Sequence, residues 1–244
     1  MNIIGAVKMI SLVYFTYRAG GFDLLAESLF RQDKTDWELI VVDDYPDRDV
    51  SQELLRMGLP LAWYGQSKPK KYTDAKWGVA NAMNTGFEHS KGDIILYVHD
   101  YSWLYSNALR RWEEVFKGDR KKLVVGVGDE FEYRGLFDVK DWTVFYPVFV
   151  SHSLLADGRF EFYHHWIPEE FEMFYSAYPR EFLEATCGFD EKCDYDIASD
   201  YPTIVATAKR LGYKLEVDKR NVVNIVNHRQ WDLGNRKMWN VVLK

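Results

Sequence analysis

Three polar clusters in this sequence stand directly behind apolar runs. Residues 9–15 ("MISLVYF") lead into Thr16-Tyr17. Residues 38–42 ("ELIVV") lead into Asp43-Asp44. Residues 94–98 ("IILYV") lead into His99-Asp100-Tyr101. Carboxylates in such places can accept from the hydroxyls of a sugar, hold a hard cation, or simply end the strand. Imidazole adds a nitrogen ligand or a proton acceptor. A fourth cluster comes late, in "CGFDEKCDYDIASDYPTIVATAKRLGY", with Asp190-Glu191 and then Asp200 at a helix start. A carboxylate there can take the proton of an attacking hydroxyl. Lys68, Lys70, Lys71, Arg229 and Arg236 are cations that could pair with an anionic ligand, or form a solvated basic surface.

These clusters share a location only if the apolar runs are neighbouring strands. The pattern predicts strands at 9–15, 38–42, 61–64 and 94–98. Helices are expected at 22–30, at 50–57, and from a cap at Thr73 or Asp74 to about residue 89. Four strands alternating with helices argue βαβ units and a mostly parallel sheet. Ligands then gather at the carboxyl ends of the strands, where the polar clusters lie. Farther on, helices are expected at 107–116 and 201–211, the second stopped by Gly212. Prolines mark helix starts at 168–175 and 179–184. Strands are expected at 123–127, 215–217 and 222–226, with an antiparallel pair within 133–150.

Composition narrows the classes. The chain has 244 residues and a net charge of −6, which gives no case for nucleic acid or an anionic membrane. No stretch reaches the ~18 apolar residues of a membrane helix. The N-terminus lacks a signal-peptide layout. Cys187 and Cys193 form no disulfide framework, so a cytoplasmic protein is expected, with peripheral membrane association open. No Gly-x-Gly-x-x-Gly, Walker loop or Gly-x-Ser-x-Gly is present. The aromatic share, 16%, suits core packing and also sugar-binding faces.

The ordered set Thr16-Tyr17, Asp43-Asp44, "NAMNTG" (81–86), Gly92-Asp93, His99-Asp100-Tyr101, Gly188-Phe189-Asp190-Glu191 and Asp200 resembles the family 2 glycosyltransferases of the GT-A fold. The resemblance spans residues 9–213. It implies a single α/β domain over 1–244: a Rossmann-like, mostly parallel central sheet flanked by helices, with a smaller mixed acceptor-side subregion. The nucleotide-sugar half would occupy about 1–104 and the acceptor half about 105–244. It implies an inverting hexosyltransferase-type enzyme using a nucleoside-diphosphate-sugar donor and a glycan, lipid-linked or protein acceptor. On this resemblance Thr16, Tyr17, Asp43, Asp44 and Asn84 serve the nucleotide. Asp200 is the base, with Asp190 and Glu191 beside it. His99, Asp100, Tyr101, His228 and Arg229 lie by the diphosphate, and Asp100 with His228 would hold Mn²⁺ or Mg²⁺.

The sequence departs from the family pattern twice. Tyr101 stands where an acidic metal ligand is usual, and neutral Tyr is a poor ligand for these cations. Lysine and arginine neutralisation is therefore the alternative to a metal. Met83 stands at the family's Arg position, in step with Ala80 and Phe87, which points to core packing. These departures keep open a non-catalytic relative that binds nucleotide sugar or glycan. A sugar-phosphate nucleotidyltransferase ranks last, because "TYRAGGFD" is too short for its loop.

Overall fold

The computed structural model describes residues 7–17, 22–72, 78–99, 102–133, 160–166, 175–196 and 201–227. The first half is the expected alternation. It runs β1 (Ile10–Thr16), α1 (Phe22–Phe30), β2 (Trp37–Asp43), α2 (Ser51–Arg56), β3 (Leu61–Gly65), α3 (Val79–His89) and β4 (Ile94–Val98). The second half adds β5 (Ser102–Leu104), α4 (Ala108–Phe116), β6 (Lys122–Tyr133), β7 (Phe160–Trp166), β8 (Tyr175–Pro179), α5 (Arg180–Thr186), a 3₁₀ helix (Glu191–Asp196), α6 (Tyr201–Arg210) and β9 (Lys214–Asn227).

Among the described residues all nine strands join one sheet in the order β3-β2-β1-β4-β8-β6-β9-β5, with β7 on β6. The β3-β2-β1-β4 block is parallel. β8 then enters antiparallel between β4 and β6. The expected strands at 215–217 and 222–226 are two parts of one strand, β9. Its register on β6 jumps from Val125↔Val217 to Val127↔Val222.

Strand side chains alternate between two cores, as a sheet covered on both faces requires. Leu12, Tyr14, Leu39, Val41, Leu96 and Val98 pack towards residues of α1, α2 and α4. Val13, Phe15, Ile40, Val42, Ile95 and Tyr97 pack towards residues of α3, α5 and α6. Met83 lies in this second core at 0% exposure, and the Tyr97 hydroxyl donates to its carbonyl at 3.2 Å. Gly86 lets α3 approach β1 closely, since a Cβ there would sit 2.2 Å from Val13 Cγ1.

Two expectations shift. Tyr175, expected to end a helix from 168, begins a strand over Tyr175–Pro179, and residues 168–174 lie outside the described residues. The helix beginning at Val79 takes Gly78 as its N-cap. Thr73 and Asp74, and most of the strand pair expected within 133–150, lie outside the described residues.

Candidate active site

Parallel pairing brings the strand ends together. Thr16 stands opposite Asp43, and Tyr14 opposite both Val41 and Val98. The Asp44 amide continues the ladder by donating to the Thr16 carbonyl at 2.8 Å. Thr16, Tyr17, Asp43, Asp44 and His99 therefore share one sheet edge. Thr16 is buried and Tyr17 half-buried. The His99 carbonyl accepts from Ser102 Oγ at 2.9 Å, which turns the chain into β5.

The two adjacent aspartates have separate surroundings. The Asp43 side chain is fully enclosed. Its Oδ2 accepts from Arg48 Nε and from the Tyr64 hydroxyl, each at 2.6 Å. Its Oδ1 accepts from Arg48 Nη2 at 2.6 Å and the Tyr45 amide at 3.0 Å. This carboxylate is committed to holding the loop after β2, and it offers no open face to a nucleoside. Burial, reinforced by the Asp43 carboxylate, holds the Tyr64 hydroxyl well above its ordinary range. Asp44 points to the loop after β3. Ser67 donates to it through both its amide and its hydroxyl at 2.8 Å, and Lys70 Nζ lies 3.1 Å away.

That loop connects two parts of the site. The Lys68 amide donates to Thr85 Oγ1 on α3 at 3.0 Å, and Lys68 Nζ pairs with Glu191 at 2.9 Å and with Glu88. Burial opposes the charge on Lys68, but these two carboxylates overcome it and raise its pKa. The "KPKK" loop is thus only partly a solvated basic surface: Lys71 is exposed, whereas Lys68 and Lys70 are committed to carboxylates.

Glu191 sits where the loop and α3 meet. Its Oε1 accepts from Asn84 Nδ2 at 2.8 Å and its Oε2 from Asn81 Nδ2 at 3.3 Å. Burial works to raise its pKa, yet hydrogen bonds from Asn84, Lys68 and Asn81 prevail and hold the carboxyl below its ordinary range. Asn84, expected at the nucleotide, instead spends its amide on the late turn. Its Oδ1 accepts from the Phe189 amide at 2.8 Å and its Nδ2 donates to the Phe189 carbonyl at 2.9 Å. Gly188 takes φ +82°, and a Cβ there would lie 2.2 Å from Asn84 Oδ1. Both facts demand glycine. Asp190 is exposed, and its carboxylate accepts from the Lys192 amide at 3.1 Å.

The structure therefore gathers Asp44, Asn84, Glu191, Lys68 and Lys70 into one polar belt running from the end of β2, across α3, to the turn at 188–191. Asp200, Asp100, Tyr101, His228, Arg229 and Arg236 lie outside the described residues. Among the described residues no group of three or more His, Cys, Asp or Glu could hold a metal ion. Among them, too, no helix is long and apolar enough to cross a membrane.

Sequence reasoning passed over Ser67, Asn81 and Asp194. The Asp194 carboxylate is buried and accepts from the amides of Ala80 and Asn81 at the start of α3, at 2.8 and 2.9 Å. Burial, the largest influence, leaves its pKa raised although both amides oppose the shift. Nothing in the sequence reading, which starts this helix from a cap at Thr73 or Asp74, pointed to the contact.

Comparison with known proteins agrees with the fold. A mannosyltransferase, PcManGT from Pyrobaculum calidifontis, solved with GDP-Man and Mn²⁺, is similar at 18% identity and TM-score 0.58, over 91% of this chain and 57% of its own. S. aureus TarS is similar at 13% identity and TM-score 0.59, over 90% of this chain and 37% of its own. TarS 1-349 gives the same identity and TM-score over 89% and 60%. At these identities the likeness shows a shared GT-A fold, and the chain spans less than two thirds of each relative's length. No curated protein matches the sequence. The model of glycosyl transferase family 2 matches residues 23–183, well over half of the chain, and the protein belongs to that family.

Proposed function

We infer that the protein is an inverting glycosyltransferase that moves a sugar from a nucleoside-diphosphate-sugar donor to an acceptor hydroxyl. The observation that carries this reading is the convergence of strand ends and polar belt. Thr16, Tyr17 and Asp44 stand at the ends of β1 and β2, and the loop holding Ser67 and Lys68 ties Asp44 to Thr85 on α3 and to Glu191. On this reading Asp44, Thr16 and Tyr17 serve the nucleoside, and Ser67 holds Asp44 ready. Asp43 shapes the loop beneath them. Glu191, kept ionised and oriented by three donors, is suited to accept a sugar hydroxyl. Asp200 removes the acceptor proton, so attack and departure fall in line on opposite faces of the anomeric carbon.

Departure of the diphosphate needs positive charge nearby. The PcManGT structure is a complex with GDP-Man and Mn²⁺, which supports a cation here. Asp100 and His228 fit one by donor type, a hard oxygen and an imidazole. When bound, the ion would draw charge from the leaving diphosphate. Lys68, Lys70, Lys71 and Arg229 are this chain's own alternative.

The second reading, a non-catalytic relative, has one observation in its favour: the residue at the family's Arg position, Met83, is sealed in the core. Calorimetry with UDP, GDP, dTDP and CMP, each with and without Mn²⁺, tests the donor site. Selective binding of one diphosphate is expected, strengthened by Mn²⁺ if Asp100 and His228 act. No binding to any of them sinks the reading. Release of nucleoside diphosphate from a donor with acceptor, lost in Asp200→Asn while binding persists, separates enzyme from binding protein.

A further inference from the structure

One loop occupies both carboxylates that the donor is read to use. Residues 66–71 follow β3. Asp44 Oδ1 accepts from the Ser67 amide and Oδ2 from the Ser67 hydroxyl, each at 2.8 Å, and Lys70 Nζ lies 3.1 Å from Oδ2. Lys68 Nζ lies 2.9 Å from Glu191 Oε1, which also accepts from Asn84. Little of either side chain is left open: Asp44 is 6% exposed and Glu191 12%. A nucleoside has no room to bond Asp44 while the loop lies there, and a sugar hydroxyl at Glu191 Oε1 competes with Lys68.

The loop is held in a way that suits release. Among the described residues no main-chain ladder bond reaches 66–71. The Lys68 amide donates to Thr85 Oγ1, and the remaining ties are made by, or to, charged and hydroxyl side chains. The loop buries no apolar anchor, since Pro69 is exposed. Such a segment belongs to the low-stability end of a fold. The strand before it is fixed independently, because the Tyr64 hydroxyl donates to Asp43 at 2.6 Å.

The charges say what can release it. Lys68, Lys70 and Lys71 stand within one four-residue run. In the closed loop Asp44 neutralises Lys70, and Glu191 with Glu88 neutralises Lys68. A ligand moves an equilibrium only by its different affinity for the two states. A nucleoside offers these ammonium groups no partner in exchange for the carboxylates. A nucleoside diphosphate offers phosphate oxygens, which pair with lysine through charge-assisted hydrogen bonds.

We propose that residues 66–71 form an ionic latch over the donor site that the diphosphate opens. Lys68 and Lys70 exchange their carboxylates for phosphate oxygens, and this frees Asp44 for the nucleoside and Glu191 for the sugar. Until then Ser67 keeps Asp44 oriented. The claim rests on the donor-site reading given above.

The test is calorimetry on the full chain with UDP, GDP and dTDP and with uridine, guanosine and thymidine. It compares the wild type with the double variant Lys68→Met, Lys70→Met and with Glu88→Gln. In the double variant Asp44 keeps both Ser67 donors and Glu191 keeps Asn84 and Asn81, so the site retains its other supports. Without the latch the nucleoside should bind more tightly and its diphosphate more weakly. The margin between them should shrink on the order of tenfold, the combined size of two ion pairs. Glu88→Gln removes an exposed competitor for Lys68 and should tighten the diphosphate about 2–5-fold. If the double variant binds both ligands more weakly, the lysines only brace the carboxylates and the proposal is overturned. A diphosphate affinity that Glu88→Gln leaves unchanged or lowers also overturns it. Hydrogen exchange gives a readout without any ligand: peptides covering 66–71 should exchange faster in the double variant, and those from β1 and β2 should not. Unchanged exchange at 66–71 counts against the latch in the same way. A wild type that binds none of these compounds removes the donor-site reading. A wild type that binds a nucleoside as tightly as its diphosphate keeps that reading and removes the latch alone.

Discussion

Asp43 and Asp44 are neighbours in sequence but are held by different parts of the chain. A strand alternates its side chains, so Asp43 follows Leu39 and Val41 into the core, and Asp44, just past the strand, turns to the loop after β3. The fully enclosed Asp43 carboxylate depends on Arg48 for its charge balance. Arg48→Met should cost about 3–5 kcal/mol in unfolding free energy, because a buried carboxylate loses its partner. Denaturant titration checks this, and adding Asp43→Asn to Arg48→Met should recover part of the loss. Glu191 and Asp194 give opposite acid responses. The folded pKa of Glu191 is lowered, so its contribution is present above the ordinary value of 4.5 and is lost as pH falls through the folded value. The folded pKa of Asp194 is raised, so its contribution favours folding at low pH and declines as pH rises past 3.8. Glu191→Gln should therefore flatten the acid loss of melting temperature below pH 4.5, and Asp194→Asn should steepen it. Equal slopes in all three proteins would show that neither environment persists in solution. The residue types at the site were legible in the sequence. Their division between holding and binding was not, because it depends on Arg48, Tyr64, Ser67 and Lys68, which the fold brings in from other elements.

At the scale of elements, the sequence was most informative where burial follows a simple period. The α1 and β4 expectations match the structure residue for residue, and β1 and β2 shift by a residue or so at their ends. The misses are non-local. β8, "YSAYP", reads weakly by itself and becomes a strand because β4 and β6 offer it edges on both sides. The start of α3 was misplaced because its capping group comes from the far end of the chain. Glycine spacing in α3 did carry a signal. A Cβ at Gly86 would stand 2.2 Å from Val13 Cγ1, so Gly86→Ala should cost about 1–3 kcal/mol through overpacking. Alanine's better helix propensity offsets up to about 1 kcal/mol of that. Thermal unfolding of Gly86→Ala, alone and with Val13→Ala, separates the two effects. The second substitution should relieve the clash, leaving the double variant above the sum of the singles.

At the scale of the whole molecule, the sheet decides how the two halves relate. The sequence reading expects a single domain whose nucleotide and acceptor halves meet about residue 104, and the described strands form one continuous sheet across that point. β4 ends the parallel block and takes β8 as its next neighbour, with Leu96 opposite Ala177. β5, still within the first 104 residues, pairs only with β9, near the end of the described chain. Trp112 of α4 donates to the Tyr175 hydroxyl at 3.0 Å, tying the first-face core to β8. A break near 104 would strip β4 of β8, one of its two partners, and expose an apolar edge. We therefore predict that the chain unfolds in one cooperative transition, with tryptophan fluorescence and far-ultraviolet circular dichroism giving coincident curves in urea. The fragment 1–104 should be poorly soluble and bind no nucleotide, because the polar belt needs Glu191 and the turn that carries it. Two resolved transitions, or a soluble fragment that binds a nucleoside diphosphate as the whole chain does, would mean that the first half is an independent unit and that the polar belt across α3 contributes nothing to the donor site.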